Sequence, residues 1–210
     1  MEITVEGNSA AVLPAECVSV DLTIGFTGPS RDQVVRDTAA ASEAVRSLLD
    51  AVVADDGGSD ARLTGLRTWT NIPYDRNGKP GHPQHVAQVR GSVTIKDLTR
   101  VAGFLGDLAT TSGAQVAGVN WRLFDATRDR VQPEVLRGAF EDALQRARWI
   151  ADAAGASDLK VASIEDRGGP TFAPPMKAMR MAMADSAPSF DLDPDDVQVA
   201  ATLNVKFTAS

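Results

Sequence analysis

The chain reads as an α+β protein. It predicts an antiparallel sheet covered by helices, with a ferredoxin-like split β-α-β core, a long C-terminal helix and closing strands. Three observations carry this. Across residues 17–124 the segments run strand, helix, strand, strand, helix, strand, the order of split β-α-β units in which two helices cover one face of an antiparallel sheet. Residues 132–155 form the clearest helical pattern, with Leu136, Phe140, Ala143, Ala147, Ile150 and Ala154 recurring at steps of four and three, which places them on one face. Near the C-terminus Val197, Val199, Ala201, Leu203, Val205 and Phe207 alternate without a break, the signature of a half-buried strand.

The elements in order begin with Ile3 and Val5 between polar neighbours, a short strand stopped by the turn-forming pair Gly7-Asn8. Residues 10–13 form a second segment that ends at Pro14. Val18, Val20, Leu22, Ile24 and Phe26 then alternate strictly until Gly28-Pro29 breaks them. Ser30 followed by Gln33 resembles a capping box, and the helix behind it carries Val34, Thr38, Ala41, Val45, Leu48 and Val52 on one stripe. Residues 63–72 read as one strand of weak phase and residues 86–95 as another. Between them 73–85 is an exposed loop, rich in Pro and Gly, with an Asn77-Gly78 turn signal. Asp97 caps a helix bearing Leu98, Val101, Leu105 and Leu108, ended by Ser112-Gly113. Residues 116–124 make a strand interrupted at Gly118. The long helix comes next, with Pro133 suited to its first position and Gly155 to the left-handed position after its last turn. A short strand follows at 159–164. Residues 168–196 are an excursion holding five prolines and four of the chain's five methionines.

Composition bounds the function. The 210 residues are 43% hydrophobic and 23% charged, ordinary for a globular protein, and are read as one domain spanning 1–210. The net charge of −7 argues against a non-specific nucleic-acid binder, which carries basic patches. The single cysteine, Cys17, has no internal disulfide partner and heads an apolar strand, so it reads as a buried thiol. No run approaches the ~18 apolar residues of a membrane span. Residues 2–6 already read as strand rather than as a signal peptide. A cytoplasmic protein is therefore expected, the alternative being an exported one whose signal has been removed.

The order of these elements and several short motifs resemble the SIMPL-domain family, a group of unknown function that includes periplasmic immunogenic proteins. ITVEGNSAAVLPAECVSVDLTIG is similar to the family's opening strand, Gly turn and long alternating strand. RGSVTIKDLTRVAGFLGDLATTSGAQVAGVNWRLFD is similar to its strand, helix and following strand. The helix at 132–155 resembles the family's Ala-rich helix, and DPDDVQVAATLNVKF its turn and final strand. Asp195 stands where the family often has Gly, and the export signal of most members is not seen. The resemblance implies an α+β domain, self-association that in some members builds large rings, and a loose association with the envelope and stress tolerance. It implies no catalytic residues.

The residues themselves offer few sites. His82 and His85, with Asp75 near, sit at a spacing that could share a metal, but a solvated loop explains them as well. Asp191, Asp193, Asp195 and Asp196 resemble a calcium loop, yet the positions that need Gly and Glu hold Asp196 and Thr202. No nucleophile elbow, P-loop, dinucleotide fingerprint or zincin motif is present. No cofactor is expected. Met176, Met179 and Met183 would share one face of a helical segment. That soft apolar stripe suits docking on a partner, or packing on the protein's own core as a lid. The leading expectation is a non-enzymatic protein acting through protein–protein contacts and homo-oligomerisation, with Met176, Met179 and Met183 as partner contacts. The alternative is a small-molecule-binding protein or hydrolase with a pocket beside the 73–85 loop, lined by Tyr74, His85 and Trp residues.

Overall fold

The computed structural model describes residues 1–74, 78–156, 158–166 and 193–210. The chain divides into two compact units. One is the continuous stretch Glu16–Arg122, with Pro194 and its neighbour Asp193; the other combines Met1–Ala15, the described residues from Leu123 onward and Asp195–Ser210.

The continuous unit has the split β-α-β topology that its segment order predicts. Its strands are β2 (Cys17–Gly28), β3 (Gly58–Leu63), β4 (Arg67–Asn71), β5 (Gln84–Ile95) and β6 (Ala114–Arg122), after β1 in the other unit. They form an antiparallel sheet of order β3-β5-β2-β6, with β4 also pairing β5. Helices α1 (Arg31–Val53) and α2 (Val101–Thr110) connect them. Val18, Val20, Leu22 and Ile24 of β2 meet Val89, Val93 and Ile95 of β5 in one core with Val45, Leu49, Phe104, Leu105 and Leu108 from the helices. Burial of this face holds both helices against the sheet, at ~25 cal/mol per Å² of apolar surface removed from water. Leu49, rather than Leu48, completes the α1 stripe. The Ser30 hydroxyl accepts from the Gln33 N–H, while the Gln33 side chain turns to Asp37 instead of closing the box.

Two strand boundaries differ from the sequence reading. Residues 63–72 are not one strand, because Thr64 to Leu66 leave the ladder. Thr64 replaces the lost pairing locally: its N–H donates to the Arg90 carbonyl at 2.7 Å and its Oγ1 accepts from the Arg90 N–H at 3.1 Å. The 73–85 loop is also shorter than expected, since Gln84 and His85 already pair with Asn71 and Thr70. The interruption at Gly118 is a β-bulge: Asp21 faces Gly118 and Leu22 faces Val116, so Ala117 is the extra residue.

The second unit holds β1 (Glu2–Leu13), α3 (Asp125–Ala153), β7 (Leu159–Asp166) and β8 (Val197–Ala209), its sheet running β1-β8-β7. β1 is unbroken, and Gly7-Asn8 makes no turn. Gly7 is needed instead because α3 crosses there: a Cβ on it would run into the Ala139 carbonyl and come within 2.5 Å of the Ala143 nitrogen. A Cβ on Gly138 would likewise come 2.5 Å from the Ser9 hydroxyl. This backbone-on-backbone seam fixes the buried face of α3 as Val131, Val135, Ala139, Ala143, Ala147 and Ala151. That differs from the expected face in all but Ala143 and Ala147. Leu136 and Phe140 are half-buried and Ile150 is exposed.

α3 also starts earlier than Pro133 suggests. Asp125 leads its first turn and Pro133 lies inside it. Pro133 has no N–H to offer the carbonyl four residues back, a loss tolerated here because it lies on the exposed side where water can serve that carbonyl. At the other end Gly155 has φ +74°, the left-handed stop expected of it. Among the described residues no helix is long and apolar enough to cross a membrane.

Candidate functional site

The two edges of the β1-β8-β7 sheet are built differently. An edge strand presents a row of unpaired backbone N–H and C=O groups, which proteins cover or leave for a partner. On β1 two of them, mid-strand, are bonded from α3. One turn apart on α3, Asp142 and Arg146 flank the alanine seam. Asp142 Oδ2 accepts from the Asn8 N–H at 3.0 Å, and Arg146 Nη1 donates to the Glu6 carbonyl at 2.7 Å. A carboxylate thus meets an outward N–H and a guanidinium meets an outward C=O, each bond charge-assisted. The short reach follows from the seam, because only small residues let the helix lie so close to the strand.

β7 lies at the opposite edge and pairs with no further strand among the described residues. Seven of its eight residues are exposed, including Val161 at 47% and Ile164 at 54%. Both lie on the helix-side face, Val161 opposite Phe207 and Ile164 opposite Val205. α3 covers that face over β1 and β8 and touches β7 only marginally. In the same unit α3 exposes Trp149 at 62%, beside Ile150. A large aromatic and an adjacent aliphatic on a helix surface are typical of the apolar anchors of protein interfaces.

The residues singled out in the sequence fall elsewhere. Met176, Met179 and Met183 lie outside the described residues, as do Asp75 and Asp191. His82 is exposed, and His85 is held in β5 with Nδ1 3.0 Å from the Thr70 hydroxyl. Among the described residues no group of three His, Cys, Asp or Glu stands close enough to hold a metal ion. A cleft of about 170 Å³ does open on the sheet near the start of β5, lined by Thr23, Gly25, Phe26, Val86, Gln88 and Gln115. Neither Tyr74 nor His85 lines it, and it is smaller than the ~300–1,000 Å³ of ligand pockets. Cys17 is buried, its thiol 3.6 Å from the Arg122 carbonyl.

The family model described as SIMPL, a protein of unknown function (DUF541), matches residues 3–207. The chain belongs to the SIMPL family. The match takes in both units, so the β1 and β7 edges both lie within the SIMPL domain. No curated protein matches this SIMPL chain.

Sequence reasoning missed Trp149, Val161 and Ile164. The Trp149-Ile150 pair carries a signal, since Trp149 lies off the alanine stripe, but the periodicity of the helix puts Ile150 on the buried face. For Val161 and Ile164 no local signal exists, because alternation cannot say that the helix stops short of their strand.

Proposed function

We propose that this SIMPL chain is a non-enzymatic module that works through protein–protein contacts and self-assembles through the β7 side of its three-stranded sheet. One observation carries the reading: α3 bonds the β1 edge at Glu6 and Asn8 through Arg146 and Asp142, whereas β7 presents Val161 and Ile164 to solvent. An exposed strand edge that no other element covers is a template for pairing with another chain. The absence of catalytic motifs from the sequence supports a binding role, and the family resemblance supports self-association and a role in the envelope or in stress tolerance.

The test is native mass spectrometry and light scattering across concentration. The wild type is expected to form oligomers. The double variant Val161→Lys/Ile164→Lys, which places a charge on each apolar position, is expected to shift it to monomer while its far-UV circular dichroism stays unchanged. Deleting residues 170–190 separates the edge from the methionine stripe: oligomers that survive the deletion but not the Lys substitutions assign assembly to β7. A wild type that stays monomeric throughout overturns the proposal.

A further inference from the structure

We infer that β7 pairs antiparallel with β7 of a second copy, in the register that sets Lys160 opposite the second copy's Glu165 and Val161 opposite the second copy's Ile164. The inference rests on the self-assembly reading above and adds the partner strand and its alignment.

The strand reads LKVASIED over Leu159–Asp166. Set against itself in reverse, it pairs Leu with Asp, Lys with Glu, Val with Ile and Ala with Ser. Lys160 and Glu165 then each meet an opposite charge, Asp166 faces Leu159, and the two exposed β-branched residues meet each other. Opposite charges and β-branched pairs directly across an antiparallel ladder are stabilising, and like charges are not. A two-fold axis through the centre makes every contact twice, the isologous arrangement of most dimers.

A regular strand could not adopt this register. Residues facing each other across a ladder must point to the same side, and Lys160 and Glu165, five apart, would point to opposite sides of a regular strand. The bulge in β7 removes the conflict. Its pairing with β8 skips between Val161 and Ser163, so the alternation shifts by one at Ala162. Lys160 then lies opposite Thr208 and Glu165 opposite Asn204, both on the sheet face away from α3. Val161 opposite Phe207 and Ile164 opposite Val205 share the helix-side face, and so do Leu159 opposite Ala209 and Asp166 opposite Leu203. The proposed register therefore matches side for side at Leu159–Asp166, Lys160–Glu165 and Val161–Ile164. Shifting it by one residue opposes Lys160 to Ile164 or Asp166, on opposite faces.

Charge reversal and cross-linking test the register together. Lys160→Glu and Glu165→Lys are each expected to weaken the dimer about tenfold, since each creates two like-charge pairs per interface, and the double swap is expected to restore it to within about threefold. In a Cys17→Ser background, a mixture of Val161→Cys and Ile164→Cys chains is expected to form a disulfide between the two species on mild oxidation. Either chain alone is expected to form little, because only directly opposed positions bring the Cα atoms to ~4.5–5.5 Å. Measurements extend to about 1 mM, because one strand edge is small beside the ~1,600 Å² of a standard interface. Oligomers that ignore both single reversals and yield no mixed cross-link overturn the register while leaving self-association in place. A wild type monomeric at 1 mM overturns both.

Discussion

In one compact unit the helix touches its sheet through Gly7 and a column of alanines; in the other, α1 and α2 meet theirs through Leu22, Ile24, Leu49, Phe104 and Leu108. Both interfaces are buried and apolar, yet they respond to opposite changes. The alanine seam has nothing to lose and no room to gain, because backbone already meets side chain and carbonyl. The aliphatic core is filled by large side chains, so it has volume to lose. Close approach also gives α3 a second role that α1 and α2 lack: only a helix lying this low can extend Asp142 and Arg146 to the backbone of an edge strand.

The largest expected effect breaks the aliphatic core. Leu22→Ala is predicted to cost about 3 kcal/mol through lost contacts and a cavity, whereas Leu22→Met, which conserves volume, should cost under about 1.5 kcal/mol. Trp121, half-buried against this core, reports it in chemical denaturation by fluorescence once Trp69 and Trp149 are replaced by Phe. The seam is predicted to show the reverse order. Ala143→Leu should cost about 2 kcal/mol by overpacking and Ala143→Gly only about 1 kcal/mol through helix propensity, with Trp149 as the remaining reporter. If truncation harms the seam more than enlargement does, the proposed contrast fails.

The covered edge is expected to give a smaller effect with a distinctive readout. Arg146→Ala and Asp142→Ala should each cost about 1 kcal/mol, as for lost hydrogen bonds. By freeing the Glu6 C=O or the Asn8 N–H of β1 they should also raise association, visible in light scattering as oligomers that Val161→Lys/Ile164→Lys no longer abolishes.

The smallest effect concerns pH. The Thr99 hydroxyl and N–H, with Arg100 beside them, hold the Asp97 carboxyl below its ordinary value. A group whose folded-state pKa is depressed contributes stability that is present above its unfolded value and lost as pH falls through the folded one. The continuous unit should therefore lose some stability below about pH 4, and Asp97→Asn should lack that part of the acid limb, which equilibrium unfolding at stepped pH would reveal. Lys96 on Asp56 acts in the same direction in that unit, and Lys206 on Glu2 in the other.

Strict alternation made β2 and β8 legible, because a sheet with one covered face prints its period on the chain. The split β-α-β order was legible for the same reason. Gly7-Asn8 was not, since a glycine that permits close approach and one that permits a turn look identical until the crossing helix is known. On α3 side-chain size points to the wrong face: Leu136, Phe140 and Ile150 are the more hydrophobic residues, but Gly7 admits only alanine opposite it. The edges of the sheet were beyond reach, because they depend on β1 pairing with a strand nearly two hundred residues later.

That pairing sets a timetable for synthesis. Residues 16–122 can collapse as soon as they leave the ribosome, their strands and helices being consecutive. β1 is made before them but finds its neighbour only in Val197–Ala209. At ~5–20 residues per second, Ile3 and Val5 wait roughly 10–40 s for cover, and closing so long a loop slows the step further. The nascent chain thus carries an unsatisfied sticky strand through most of its production, and this is the interval in which chaperones would have to hold it.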